Sequence, residues 1–136
     1  MGYVSRVMKY LTALLGVLLI ATTAAFAGSF PDISLAELKT AIADKKVTII
    51  DVNGTASYKA GHIPGAIDFV ADKSDLASKL PANKDALIVA YCGSPSCGAY
   101  ARGAEAAKEL GYTNVQHFKG GLSGWKAAGE PLEAGK

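Results

Sequence analysis

An α/β fold, a parallel sheet with helices on both faces, is predicted by three observations. From Ser34 onward, strand-like and helix-like segments alternate. Two runs, Val47–Asp51 and Ala86–Tyr91, are continuously apolar or β-branched, which marks strands covered on both faces rather than one. The links between segments are short, as right-handed crossovers between parallel strands allow. The chain has 136 residues, which fits one domain.

The first segment stands apart from that pattern. Residues 1–10 carry Arg6 and Lys9 and no acid, and Leu11 to Phe26 is apolar except for Thr12, Gly16, Thr22 and Thr23. It closes on Ala25-Phe26-Ala27, followed by Gly28. Basic, then apolar, then small-x-small is the order of a secretory signal peptide. The apolar run is shorter than the ~20 residues that span a bilayer. We therefore expect residues 1–27 to be a signal peptide cleaved after Ala27, with a domain over 28–136. Export follows, to the periplasm if the source is Gram-negative, with no stable membrane insertion after processing.

The whole chain has 14 Lys and Arg against 12 Asp and Glu. Both excess bases lie in residues 1–27, so residues 28–136 carry no net charge. Without clustered bases, no nucleic-acid partner is expected.

Ser34-Leu-Ala-Glu37 is a capping box opening a helix with Leu35, Leu38, Ala41 and Ile42 on one face. Lys45-Lys46 ends it and the strand Val47–Asp51 follows. Asn53-Gly54 turns the chain into a short helix around residues 56–59. Gly61-His62-Ile63-Pro64-Gly65 reads as a loop, and Ala66–Val70 as a second strand. Ser74–Leu80 is a short helix stopped by Pro81. Ala86–Tyr91 is the central strand. Tyr100–Leu110 is an alanine-rich helix with Gly111 as its C-terminal cap. Val115–Phe118 is another strand. Gly120-Gly121 then turns into a last helix, Leu122–Ala128, with Trp125 as its core anchor.

In open parallel sheets, ligands bind at the carboxyl ends of the strands. Cys92 stands there, directly after the central strand. The loop Gly93, Ser94, Pro95, Ser96, Cys97, Gly98, Ala99 leads from it to a helix N-terminus. Small residues let such a loop turn its N–H groups inward, and the helix start adds partial positive charge. Both favour a thiolate or a sulfur-bound anion. The chain has two cysteines, Cys92 and Cys97. A staple normally closes a long loop, and a domain of this length can bury its own core, so the pair points to chemistry more than to stapling. A buried, inert cysteine beside a turn is the plainer alternative.

The residues Asp51-Val52, Tyr58, Gly61-His62-Ile63-Pro64-Gly65-Ala66-Ile67, Tyr91-Cys92, Gly111-Tyr112, Asn114-Val115 and Gly120-Gly121 with Trp125 and Gly129-Glu130-Pro131 resemble the rhodanese-like domain family over residues 30–132. The resemblance implies five parallel strands between helices. It also implies that Cys92 takes up a sulfane sulfur, holds it as a persulfide and passes it to a thiophilic acceptor. The partners implied are a small sulfur-containing donor and a thiol or protein acceptor.

Three departures from the family pattern matter. Asn53 and Ser57 replace an Arg and a Glu, so both members of an ion pair are absent together. No Lys or Arg lies between Cys92 and Arg102, and the loop is longer than the common thiosulfate-type loop, which argues against a guanidinium clamp for thiosulfate. Finally, Cys97 lies within the loop, where it could resolve a persulfide or sulfenate on Cys92 into a disulfide.

His62 is expected to play a structural hydrogen-bonding part, and His117 to be satisfied core. The scatter of His62, Cys92, Cys97 and His117 lacks zinc-ligand spacing, and no haem-attachment motif is present, so neither metal nor cofactor is expected. Arg102, the only arginine after residue 27, could reach the loop or face solvent. Three functional classes remain open: a sulfurtransferase carrying sulfur on Cys92, a thiol–disulfide redox protein or sensor using Cys92 and Cys97, and a non-catalytic binding module.

Overall fold

The computed structural model describes residues 30–136; the signal-type segment and its cleavage point lie outside them. The elements run α1 Leu35–Ala43, β1 Val47–Asp51, α2 Thr55–Ala60, β2 Ile67–Asp68, α3 Phe69–Asp72, a 3-10 turn Lys73–Asp75, α4 Leu76–Lys79, β3 Leu87–Tyr91, α5 Tyr100–Glu109, β4 Val115–His117 and α6 Gly121–Ala127. The capping box of α1 is complete: Ser34 Oγ accepts from Glu37 N at 3.1 Å, and Glu37 Oε2 accepts from Ser34 N at 3.1 Å.

The sheet has four parallel strands in the order β2-β1-β3-β4. The α/β class and parallel sheet agree with the sequence reading; the five-stranded count does not. Among the described residues before α1 there is a single parallel bridge, Asp32 to His117, with Ile33 N donating to His117 O and His117 N to Pro31 O. A longer ladder is blocked on both sides. Pro31 has no N–H to give, and Lys119 N, the next donor beyond β4, is taken by Asp32 Oδ1 at 2.8 Å.

The strand expected over residues 66–70 is also shorter. Asp68 Oδ1 accepts from Val70 N at 3.1 Å and Ala71 N at 3.3 Å. That N-cap turns the chain into α3 after two strand residues.

Alternation along β1 and β3 sorts the core onto two faces. Ile50, Val52, Ile88, Ala90 and Cys92 pack with Ala104 and Ala107 of α5. Ile49, Val89 and Tyr91 pack with Leu38, Ile63, Leu122 and Trp125. Burying each large apolar side chain contributes about 1.5–3 kcal/mol, so both layers hold the central strands in place. Trp125 anchors α6 as expected: its ring meets Phe118 edge-on, and Nε1 donates to Pro131 O at 2.7 Å. α5 ends in a Schellman motif. Gly111, at φ +97°, donates to Lys108 O, and Tyr112 N donates to Ala107 O. No helix of the described residues is long and apolar enough to cross a membrane.

Candidate active site

Cys92 begins where β3 stops. Strand alternation sends its side chain to the α5 face, among Ile50, Val52 and Ala104, and leaves it 1% exposed. Its backbone is fixed by α6. Leu122 N donates to Cys92 O at 2.8 Å and Ser123 N to Gly93 O at 2.9 Å. Gly121 allows that approach. Its φ is +61°, and a Cβ there would stand 2.6 Å from Cys92 O and 3.0 Å from Ser94 N. The Gly-Gly turn after β4 is thus the element that lets a helix start close over the cysteine loop.

The loop folds back on itself. Ser94–Cys97 is a turn with Pro95 at its second position, where a fixed φ suits it, closed by Cys97 N donating to Ser94 O at 3.1 Å. Ser94 Oγ and Ser96 Oγ are 3.2 Å apart. Pro95, Ser96 and Gly98 are exposed, while Gly93, Ser94, Cys97 and Ala99 are half-buried. Ala99 is the N-cap residue of α5. The turn brings Cys97 back to Cys92, and the two form a disulfide with their Cα atoms 6.2 Å apart.

In this bonded state the inward ring of N–H donors expected from the loop composition is not what faces the sulfur. The carbonyl oxygen of Cys97 lies 3.3 Å from Cys92 Sγ. The donors of Cys97, Ala101 and Arg102 are taken by the carbonyls of Ser94, Gly98 and Ala99. Small residues made the loop pliable, and it uses that freedom to satisfy itself. Arg102 is exposed.

Next to the cysteine is a buried acid whose role the sequence reading did not assign. Asp51 ends β1 in register with Tyr91 at the end of β3, and both are fully buried. The Tyr91 hydroxyl donates to Asp51 Oδ2 at 2.5 Å, and Asn53 N donates to Asp51 Oδ1 at 2.7 Å. Burial raises the Asp51 carboxyl above the ordinary carboxylate value, against the pull of these hydrogen bonds. Tyr91 is held neutral by burial and then by the neighbouring Asp51 charge. Its oxygen also accepts from Ile63 N at 3.0 Å, which ties the Gly-His-Ile-Pro-Gly loop to the strand that delivers Cys92. An acid closing an otherwise apolar run, Val47–Asp51, was the available signal.

Asn53, which stands where the family pattern has Arg, lies against the cysteine loop. Its Oδ1 would be 3.3 Å from a Cβ on Gly93. Its Nδ2 is buried without a hydrogen-bond partner. Ser57 is half-buried in α2.

His62 holds structure together, as expected. It is 2% exposed, stacks on Tyr58, and its Nδ1 lies 2.8 Å from Tyr58 O, which places the ring proton on that nitrogen. Its backbone pairs with Glu133 in an antiparallel bridge. His117 is also buried, stacked on Tyr100. Among the described residues no group of three His, Cys, Asp or Glu side chains is placed to hold a metal ion.

The sequence model of the rhodanese-like domain matches residues 34–128. The chain is 32% identical over 101 residues to the thiosulfate sulfurtransferase GlpE of Pseudoalteromonas translucida, covering 74% of this chain and 92% of that protein. It is 35% identical over 91 residues to the HTH-type transcriptional regulator Rv0324 of Mycobacterium tuberculosis, covering 66% of this chain but only 39% of the regulator. Among solved structures, the rhodanese-like domain of the Anabaena protein Alr3790 superposes with a TM-score of 0.61 at 29% identity, over 78% of this chain and 80% of that one. The human single-domain sulfurtransferase TSTD1 shares the fold, with a TM-score of 0.55 at 23% identity, over 73% of this chain and 97% of that one.

Proposed function

This chain belongs to the rhodanese-like domain family, and from that premise we propose that it is an exported sulfurtransferase whose sulfur carrier is Cys92. The observation that carries this reading is the placement of Cys92. It follows the central strand at the carboxyl edge of the sheet, with its backbone held by the start of α6. Once the bond to Cys97 is reduced, a nucleophile whose backbone is fixed by a rigid element presents one geometry to a small donor. In the proposed reaction the Cys92 thiolate attacks the outer sulfur of a small sulfane donor, the donor's sulfur–sulfur bond breaks with sulfite or a thiolate leaving, and Cys92 keeps the sulfur as a persulfide and yields it to a thiol or protein acceptor. The disulfide must be reduced before loading.

The donor class is open between thiosulfate and organic persulfides. Relatives named for thiosulfate transfer support the first. The absence of Lys and Arg from Gly93 to Ala101 favours the second. Loading is measured as cyanolysable sulfur per protein in the Cys97→Ser background, after exposure of the reduced protein to each donor. Cys97→Ser is expected to load from at least one of them, and the double variant Cys92→Ser, Cys97→Ser from neither. Equal loading of both proteins would remove Cys92 from the reaction.

Export rests on the residue order of the first 27 positions. The N-terminus of the cell-envelope form should begin at Gly28, and an intact Met1 on that form would contradict it.

The Cys92–Cys97 bond favours a second reading, a thiol–disulfide redox protein or sensor. That reading predicts reversible bond formation in wild type and no sulfur adduct on Cys92 of the Cys97→Ser protein under any sulfane donor, which mass spectrometry of the same samples decides.

A further inference from the structure

We infer that Cys97 resolves the Cys92 persulfide, so that the protein reduces sulfane sulfur to hydrosulfide and itself becomes the disulfide seen here. This rests on the reading of Cys92 as sulfur carrier. Three observations point the same way. Cys92 is 1% exposed and its carbonyl is pinned by Leu122 N, so an outer sulfur on it is poorly placed to meet a bulky acceptor. Cys97 Sγ already lies at bonding distance from Cys92 Sγ, brought there by the Ser94–Cys97 turn. No Lys or Arg from Gly93 to Ala101 stands ready to hold an anionic acceptor in competition. A thiol held in place acts at an effective concentration far above that of free thiols.

The steps balance as follows. A thiosulfonate anion gives its outer sulfur to the Cys92 thiolate. The sulfur–sulfur bond of the donor breaks, a sulfinate leaves, and Cys92 carries a persulfide. The Cys97 thiolate then attacks Cys92 Sγ, the inner sulfur. The Sγ–Sγ bond forms, the bond to the outer sulfur breaks, and that sulfur leaves with one proton as hydrosulfide. Sulfane sulfur has been reduced by two electrons, and the dithiol has been oxidised to the disulfide. A further turnover needs an external dithiol reductant. Its thiolate attacks at Cys97, the less buried residue of the pair, and releases the Cys92 thiolate as leaving group.

The test uses protein purified after expression of the whole chain, reduced, freed of reductant without oxygen and given one equivalent of methanethiosulfonate. Sulfinate, hydrosulfide and intact mass are read together. Wild type is expected to release one sulfinate and one hydrosulfide per protein and to end about 2 Da lighter than the reduced form. Cys97→Ser is expected to release sulfinate, gain about 32 Da and release hydrosulfide only after a thiol is added. If wild type instead keeps the added sulfur, or if Cys97→Ser releases hydrosulfide unaided, internal resolution is overturned while Cys92 remains the carrier. If neither protein releases sulfinate and Cys97→Ser gains no sulfur from thiosulfate or an organic persulfide either, the sulfurtransferase reading itself fails.

Discussion

The Tyr91 hydroxyl donates to the Asp51 carboxylate at 2.5 Å, joining the carboxyl ends of β1 and β3. Each residue is the last of its strand, and Cys92 follows Tyr91 directly. A carboxylate so buried would be costly without donors. Here two are supplied, the phenol and the Asn53 N–H. The pair therefore fixes where β3 ends and with it the starting point of the cysteine loop.

Tyr91→Phe keeps the ring but leaves Asp51 short of a donor. Hydrogen bonds to charged groups contribute about 1.5–3 kcal/mol, and the stability loss near neutral pH should fall in that range. The folded Asp51 carboxyl is already raised above its ordinary value of 3.8. Removing a group that favours the charged form raises it further. The loss should thus be full where Asp51 is ionised and shrink as the pH falls through the folded pKa, because a neutral acid needs the donor less. Urea unfolding of both proteins at neutral and acidic pH measures this. A loss of equal size at both would mean that the carboxylate is not its source.

Two glycines with positive φ should respond differently to alanine. At Gly111, φ is +97° but a Cβ would meet only Lys84 Cδ, at 3.9 Å. The cost is backbone strain alone, about 1 kcal/mol, with sulfur loading intact. At Gly121 the Cβ would stand 2.6 Å from Cys92 O, so the strain is joined by displacement of the loop. Gly121→Ala should cost about 3 kcal/mol and reduce loading further than its unfolded fraction explains. Denaturant midpoints beside cyanolysable sulfur, both read in the Cys97→Ser background, separate the two effects. Normal loading by folded Gly121→Ala would show that α6 does not position Cys92.

Much of this architecture was legible before the structure. The runs Val47–Asp51 and Ala86–Tyr91 announced buried parallel strands because their apolar residues are continuous, and Ser34 with Glu37 announced the start of α1. What escaped was set by contacts distant in sequence or by competition for a single group. Nothing local to Ala66–Val70 shows that Asp68 will cap a helix instead of extending a strand. The phenol of Tyr91 and the carboxyl of Asp51 meet across a sequence separation of 40, so their pairing was invisible although each was noticed in a motif. Cys92 and Cys97 were both singled out. The loop's inward N–H groups were expected from its composition, but composition does not say which carbonyls will reach those donors first.

His117 gives a pH signature of the opposite sign to Asp51. Burial lowers its pKa below the ordinary value of 6.5, with Lys119 acting in the same direction and Asp32 against. The unfolded chain therefore takes up this proton first as the pH falls. Stability contributed by the neutral ring is lost below the ordinary value and continues to fall until the folded His117 titrates. An NMR titration should place the His117 imidazole below 6.5, and His117→Gln should flatten the acid-side slope of stability. A midpoint at or above 6.5 would mean that Asp32 outweighs burial.

The last expectation concerns what the disulfide does for the fold. Cys92 and Cys97 are separated by five positions, and on the chain-entropy account so short a loop restrains the unfolded state by about 2 kcal/mol. The two faces of the sheet do not depend on it. Ile49, Ile50, Ile88 and Val89 are at most 2% exposed, and each contributes about 1.5–3 kcal/mol by burial. The bond also ties the loop to a strand end that Leu122 N and the Tyr91–Asp51 pair already hold. Reduction should consequently lower stability by no more than about 2 kcal/mol and leave unfolding cooperative. Urea transitions with and without reductant, followed by Trp125 fluorescence, decide it. A reduced protein that unfolds without a sigmoidal transition would make the bond a structural staple and set its redox chemistry in second place.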